Sequence, residues 1–306
     1  MNRYLKGLLV GLVSALLAWG TGAVGWLDTL EYGTWSFRIR SLAQPVAATE
    51  QIKIILIDQA SLDWAAKENS LAWPWMRQAY VPILQFCRRA GAKVIAFDML
   101  YTEPSSYGVA DDEAFGKAIA AKPDFVGAYF SGEEANQVEA WPADVARPSL
   151  VVAGLDAWLT PARRAVLADP KAAFPVQPVA QGAARLATIR LVPDEDGVFR
   201  RITPFRWFDG QLVPTLGMAA YLLGQGNVKD ISVDDRAFHF GETTLPIDSL
   251  GRMILNYRGP GGAHQAFGAA AIIQSELLMQ EGKPPTIDPD LLRDRYVFLG
   301  ASAPGL

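Results

Sequence analysis

Two aspartates close short apolar runs, a setting that suits a binding site in an open α/β sheet. Asp58 ends IKIILID and Asp98 ends KVIAFD. Ligands of such sheets gather outside the carboxyl ends of the strands. Acids at two of those ends therefore point to recognition of a cation or a polar group. Ser61, Arg77, Glu103 and Asp111 follow these runs closely and could complete a polar pocket for a cation or a small zwitterion. Oxygen donors without His or Cys suit a hard ion such as Ca²⁺ or Mg²⁺. In a purely structural role, Asp58 would instead cap the next turn through Asx hydrogen bonds, and Arg77 would pair with an aspartate to fix its loop. Trp73 and Trp75, with Trp64, offer an aromatic wall for a ligand or cation. The plainer role for tryptophans beside Pro74 is to pack their loop onto the core.

No other motif carries chemistry. Asp194-Glu195-Asp196-Gly197 is too short for a calcium loop, which needs more ligands and a distal Glu. Between two β-rich runs it reads as a hairpin turn with Gly197 at positive φ. Gly259, Gly261 and Gly262 in RGPGGAH lack the Gly-Lys-Ser/Thr ending of a phosphate loop. Ser302 in GASAPG lacks the spacing of a nucleophile elbow. With one cysteine, Cys87, and two histidines, His239 and His264, a zinc site of the His/Cys type is not expected, nor is an intramolecular disulfide. The net charge of −4, from 28 basic and 32 acidic side chains, gives no electrostatic ground for binding nucleic acid. We therefore expect no catalytic residues, no metal and no cofactor.

The elements that would position these residues follow from periodicity. Residues 52–58, 93–98 and 124–130 read as buried strands, being short, apolar and β-branched. ASLD after the first is expected as a turn, LAWPWMR as a loop, and 76–90 as an amphipathic helix stopped by Gly91. A helix is expected from Asp111 or Asp112 to Ala121. Alternation of strand and helix predicts a mostly parallel sheet flanked by helices. Residues 131–180 read as an irregular or helical insertion, and 187–208 as an antiparallel hairpin around DEDG. Beyond it come a helix over LGMAAYLLG, short strands within 231–257, a helix over AFGAAAIIQSELLMQEG and a last buried strand, RYVFLGAS. No linker splits the soluble part.

The run from Gly7 to Leu27 carries no charge. As a helix it is long enough to cross a hydrocarbon core of about 30 Å. Arg3 and Lys6 precede it, which places residues 1–6 inside and the remainder outside, and Trp19 and Trp26 suit the outer interface. Residues 28–44 would extend it as a stalk ending at Pro45. A cleaved signal peptide, cut near Thr21-Gly22-Ala23, is the rival, but its apolar region is usually only about 7–15 residues.

Several segments together resemble one family. IKIILIDQASLDW, WPWMRQAYVPIL, GAKVIAFDMLYTEP, VPDEDGVFRRI, MILNYRGP and RYVFLGASAPGL occur in the order found in CHASE type 2 sensory domains (cyclases/histidine kinases associated sensory extracellular). The resemblance implies an extracytoplasmic input domain over 45–306 behind the membrane helix, in the cell inner membrane, with a small molecule, ion or protein as ligand. In that family an adenylate or guanylate cyclase often follows, and sometimes a histidine or serine/threonine kinase. We further expect a homodimer. Two rivals are an exported α/β enzyme using Asp58 and Asp98, and a dimerisation module without ligand.

Overall fold

A computed structural model describes residues 3–23, 28–133, 135, 138–148, 150–226, 228 and 230–304. The described chain divides into two compact units, one of Met1–Val46 with Asn256–Ala263, the other of Ala47–Leu255 with His264–Leu306.

The first unit is built on α1 (Arg3–Ala23) and α2 (Asp28–Leu42). Over Arg3–Gly22, α1 is long and apolar enough to cross a membrane, and none of that stretch is buried. Exposed Leu, Val and Trp on every side of a helix are stable only where the surroundings are themselves apolar. The last residues of the expected 7–27 span, including Trp26, lie outside the described residues. The stalk segment is helical, as α2, despite Gly33. Within this unit Trp35 of α2 packs edge-on against Tyr257, ring centroids 6.2 Å apart.

The second unit opens with β1 (Ile52–Ile57) and α3 (Gln59–Asn69). After a 3₁₀ turn (Arg77–Tyr80) come α4 (Val81–Arg89), β2 (Val94–Phe97), α5 (Val109–Ala120) and β3 (Phe125–Ser131). Gly91 ends this first helical layer at φ +78°. ASLD is thus the first turn of a helix and not a free turn, because Asp58 supplies the cap that starts α3. The insertion holds only short pieces: β4 (Val152–Ala153), α6 (Leu155–Trp158), α7 (Pro161–Leu167), β5 (Ala172–Ala173) and α8 (Gln177–Gly182). Then follow β6 (Arg185–Thr188), β7 (Arg201–Ile202), β8 (Phe205–Phe208), β9 (Gln211–Pro214) and α9 (Leu216–Gly224). The chain closes with β10 (Ile231–Val233), β11 (Ala237–Phe240), β12 (Thr243–Pro246), β13 (Met253–Ile254), β14 (Gln265–Gly268), α10 (Ala269–Gln280) and β15 (Tyr296–Ala301).

The main sheet has the order β14-β1-β15-β2-β3-β6, parallel throughout, with β5 antiparallel on the far end of β3. The last strand therefore slots between the first two. One face buries Ile55, Ile57, Ile95, Phe97, Phe125, Val297 and Leu299 against α3, α4, α5 and α10. On the other face, Val94, Ala96, Val126 and Ala187 meet Ala219 and Ala220 of α9. Right-handed crossovers put helices on one face while the chain advances in one direction along the sheet. Small residues sit at the centre of the α9 contact, with Leu216, Leu223, Tyr296 and Phe298 packed around it. A smaller sheet, β12-β11-β10-β4, covers a separate core around Trp158, Phe205, Phe238 and Phe240.

The expected hairpin over 187–208 does not form. Its first half, β6, pairs parallel with β3 across a long loop, and its second half divides between β7, paired with β13, and β8, paired with β9. The DEDG turn itself is present, with Gly197 at φ +79°. The antiparallel hairpin is β8–β9, joined by Asp209 and Gly210, both at positive φ. Such a two-residue Asp-Gly turn matches the twist of paired strands. The helix expected over 266–282 begins only at Ala269, because Gln265–Gly268 is taken up as edge strand β14 beside β1.

Candidate functional site

The predicted site residues separate into two groups. Asp58 sits at the carboxyl end of β1, where its Oδ1 accepts the Ser61 N–H at 2.8 Å. The Ser61 hydroxyl in turn accepts the Ala270 N–H at 3.1 Å, so both side chains serve the starts of α3 and α10. A Cβ on Gly268 would touch both, 3.4 Å from Asp58 Oδ2 and 3.5 Å from Ser61 Oγ.

Arg77, Glu103 and Asp111 do come together, through one another. Asp111 accepts the backbone N–H groups of Arg77 (2.7 Å) and Gln78 (2.9 Å) and the Ser105 hydroxyl (2.6 Å). Burial raises the Asp111 carboxyl pKa, but these three donors and the Arg77 charge outweigh it and leave the carboxyl below its ordinary value. Arg77 Nε donates to Asp112 at 2.7 Å and Nη2 to the Glu103 carbonyl oxygen at 2.5 Å, with the guanidinium over the Tyr101 ring. The Glu103 side chain is exposed. These contacts fasten the amino end of the 77–89 helical stretch to α5. Trp75 is buried against Tyr80, and Trp73 leans edge-on against Trp75 with 37 % of its surface open.

Asp98 is different. It lies at the carboxyl end of β2, with β15 between it and Asp58. Its carboxylate has no hydrogen-bond or ion-pair partner among the described residues; the residue is exposed, and partial desolvation by its neighbours raises its pKa. It lines a cavity of about 450 Å³ whose other walls include Leu191, Ile202, Met218, Tyr221 and Met253. Small-molecule pockets typically span about 300–1,000 Å³ and place a few polar groups in an apolar lining. Sequence reasoning found Asp98 from the strand-end rule but missed the walls, which come from β7, α9 and β13. The apolar stripe of LGMAAYLLG was the only local signal for Met218 and Tyr221.

Thr188, at the end of β6, lines the same cavity. Its hydroxyl meets Ser131 Oγ at 2.7 Å, and Ser131 donates to Asp169 at 2.6 Å. Asp169, fully buried, also accepts from Arg206 Nη2 (2.5 Å) and Arg190 Nη1 (2.7 Å). A satisfied buried network of this kind fixes one arrangement of the strand ends. A second cavity of about 510 Å³ lies toward the amino ends of β3 and β6, with Arg147 and Arg185 in its wall. Arg147 is engaged by Asp209 at 2.7 Å. Cys87 is fully buried, and burial pushes its thiol pKa far above the usual range, as befits an inert core residue.

The second unit is thus a mixed α/β domain with a cavity at its strand ends, preceded in the chain by an exposed apolar helix. The CHASE2 domain family model matches residues 9–306, and the chain belongs to that family. CHASE2 domains are extracellular sensory domains of signalling receptors. No curated protein and no solved structure matches the chain significantly.

Proposed function

We propose that this chain is the input region of a transmembrane receptor in the bacterial inner membrane, coupled to an adenylate or guanylate cyclase. Residues 1–6 lie in the cytoplasm, 7–27 cross the membrane, 28–44 form the stalk, and 45–306 sense a ligand on the periplasmic side as part of a homodimer. The observation that carries this is the CHASE2 match, which begins inside the apolar helix and runs through the whole domain. Of the sequence-predicted polar residues, Asp98 is the one we assign to the ligand. Asp58, Ser61, Arg77, Glu103 and Asp111 would act at the site only by holding its loops.

Chain continuity supports a relay. Met253 lines the Asp98 cavity, and a few residues on, Tyr257 packs against Trp35 of the stalk helix. A ligand that favours one position of β13 would bias the segment that grips α2. Typical couplings of about 1–3 kcal/mol are enough for such an input. The gene downstream of codon 306 should encode returning membrane helices and a cyclase. The full-length protein should restore cyclic-nucleotide synthesis to a cyclase-deficient host. A stop codon at 307, or a kinase in place of the cyclase, would contradict the proposal.

A further inference from the structure

We propose that the Asp98 cavity recognises a small organic monocation: a primary or secondary amine attached to an apolar body. This rests on the sensory function proposed above and names its ligand class.

The chemistry of the cavity narrows the choice. Its lining is mostly apolar; the polar side chains in it are Asp98, Thr188, Thr215 and Tyr221, and only Asp98 carries a charge. Both threonine hydroxyls are already engaged, Thr188 with Ser131 Oγ and Thr215 as donor to the Pro204 carbonyl oxygen at 3.1 Å. That leaves one uncommitted carboxylate in a cavity it shares with Leu191, Ile202, Met218 and Met253. A divalent cation would need about six or more oxygen ligands, and the cavity does not supply them. An anionic ligand would be repelled by Asp98 and would meet no compensating cation in the lining. A neutral apolar ligand would strip water from the exposed carboxylate without pairing it, which is costly for a charged group. A monocation with a hydrophobic body satisfies both halves of the site: the ammonium donates charge-assisted hydrogen bonds to Asp98, and the body fills the space between Met218, Tyr221 and Met253. Position agrees with chemistry, since the carboxylate stands at the carboxyl end of a parallel strand.

The test uses the full chain in nanodiscs and three probes of nearly equal shape: phenethylamine, 2-phenylethanol and 3-phenylpropionate. Calorimetric titration should show phenethylamine binding at least about tenfold more tightly than either of the others, as expected for one charge-assisted contact. Asp98→Asn should remove that preference. Met218→Trp, which fills the cavity but spares the charge, should abolish binding of all three. Equal affinity for the three probes, tighter binding of 3-phenylpropionate, undiminished amine binding in both variants, or no amine binding up to millimolar concentration would each overturn the inference. None of these outcomes depends on the effector, so failure here is separable from failure of the receptor proposal, which is read from the downstream gene.

Discussion

Asp98 and Asp111 show how similar acids diverge once their neighbours are fixed. Asp111 is held by three donors that keep its carboxyl pKa below the ordinary value, a structural clamp between the start of the 77–89 helical stretch and α5. Asp98 has no such donors, and desolvation raises its pKa. A carboxyl with a raised folded-state pKa contributes stability that is present at low pH and lost as pH rises through that pKa. Ionised Asp98 therefore weakens the ligand-free fold at neutral pH. Asp98→Asn should melt at a higher temperature than wild type at pH 7, with the difference vanishing near pH 3, as read by thermal unfolding at both pH values. A lower melting temperature at pH 7 would show that Asp98 has a stabilising partner. From the sequence, both acids were visible as polar residues near strand ends or helix starts. What separated them was the set of backbone N–H groups aimed at each, which is fixed only when Arg77, Gln78 and Ser105 are placed.

Elements with one dominant local signal were legible. The continuous apolar runs gave β1, β2, β3 and β15, and the segment LGMAAYLLG gave α9 with its exact bounds. Pairing was not legible, because parallel neighbours are joined by distant contacts: Ile52–Ile57 lies beside Tyr296–Ala301, which no local pattern announces. The same reason undid the hairpin over 187–208. ATIRLV has the alternation of a hairpin strand, but β6 finds its partner in β3, while the real hairpin signal was Asp209-Gly210. Gln265–Gly268 was hidden by the alanine-rich helix that follows it. Packing between elements makes its own demand. A Cβ on Gly116 of α5 would come within 2.4 Å of the Pro178 carbonyl oxygen in α8, and one on Gly182 within 2.6 Å of the Gly116 carbonyl oxygen. Gly116→Ala must push the two helices apart. It should cost about 1–3 kcal/mol, the usual range for overpacking, measurable by denaturant unfolding. No loss would mean that α8 is free to shift.

At the scale of the whole chain, a helix long and apolar enough to cross a membrane precedes a folded α/β unit with an open cavity. Exposed Leu8, Leu9, Leu12, Leu16 and Leu17 on α1 have no place in water. The flanking Arg3 and Lys6 support the proposed orientation, with the amino end on the cytoplasmic side. The apolar N-terminal helix and the sensory family were readable from sequence, through composition in one case and ordered motifs in the other. The cavity was not, since its walls come from segments more than a hundred residues apart. The most direct measurement is the topology of the intact protein. Alkaline phosphatase fused after Leu306 should be active, and the same site fused to a cytoplasmic reporter should be silent. The protein should stay in the membrane fraction after carbonate washing, with residues 7–27 still present by intact mass. A soluble product clipped near Ala23, or a phosphatase fusion that is inactive while the cytoplasmic reporter works, would contradict the placement of this domain as the outward-facing input of a receptor.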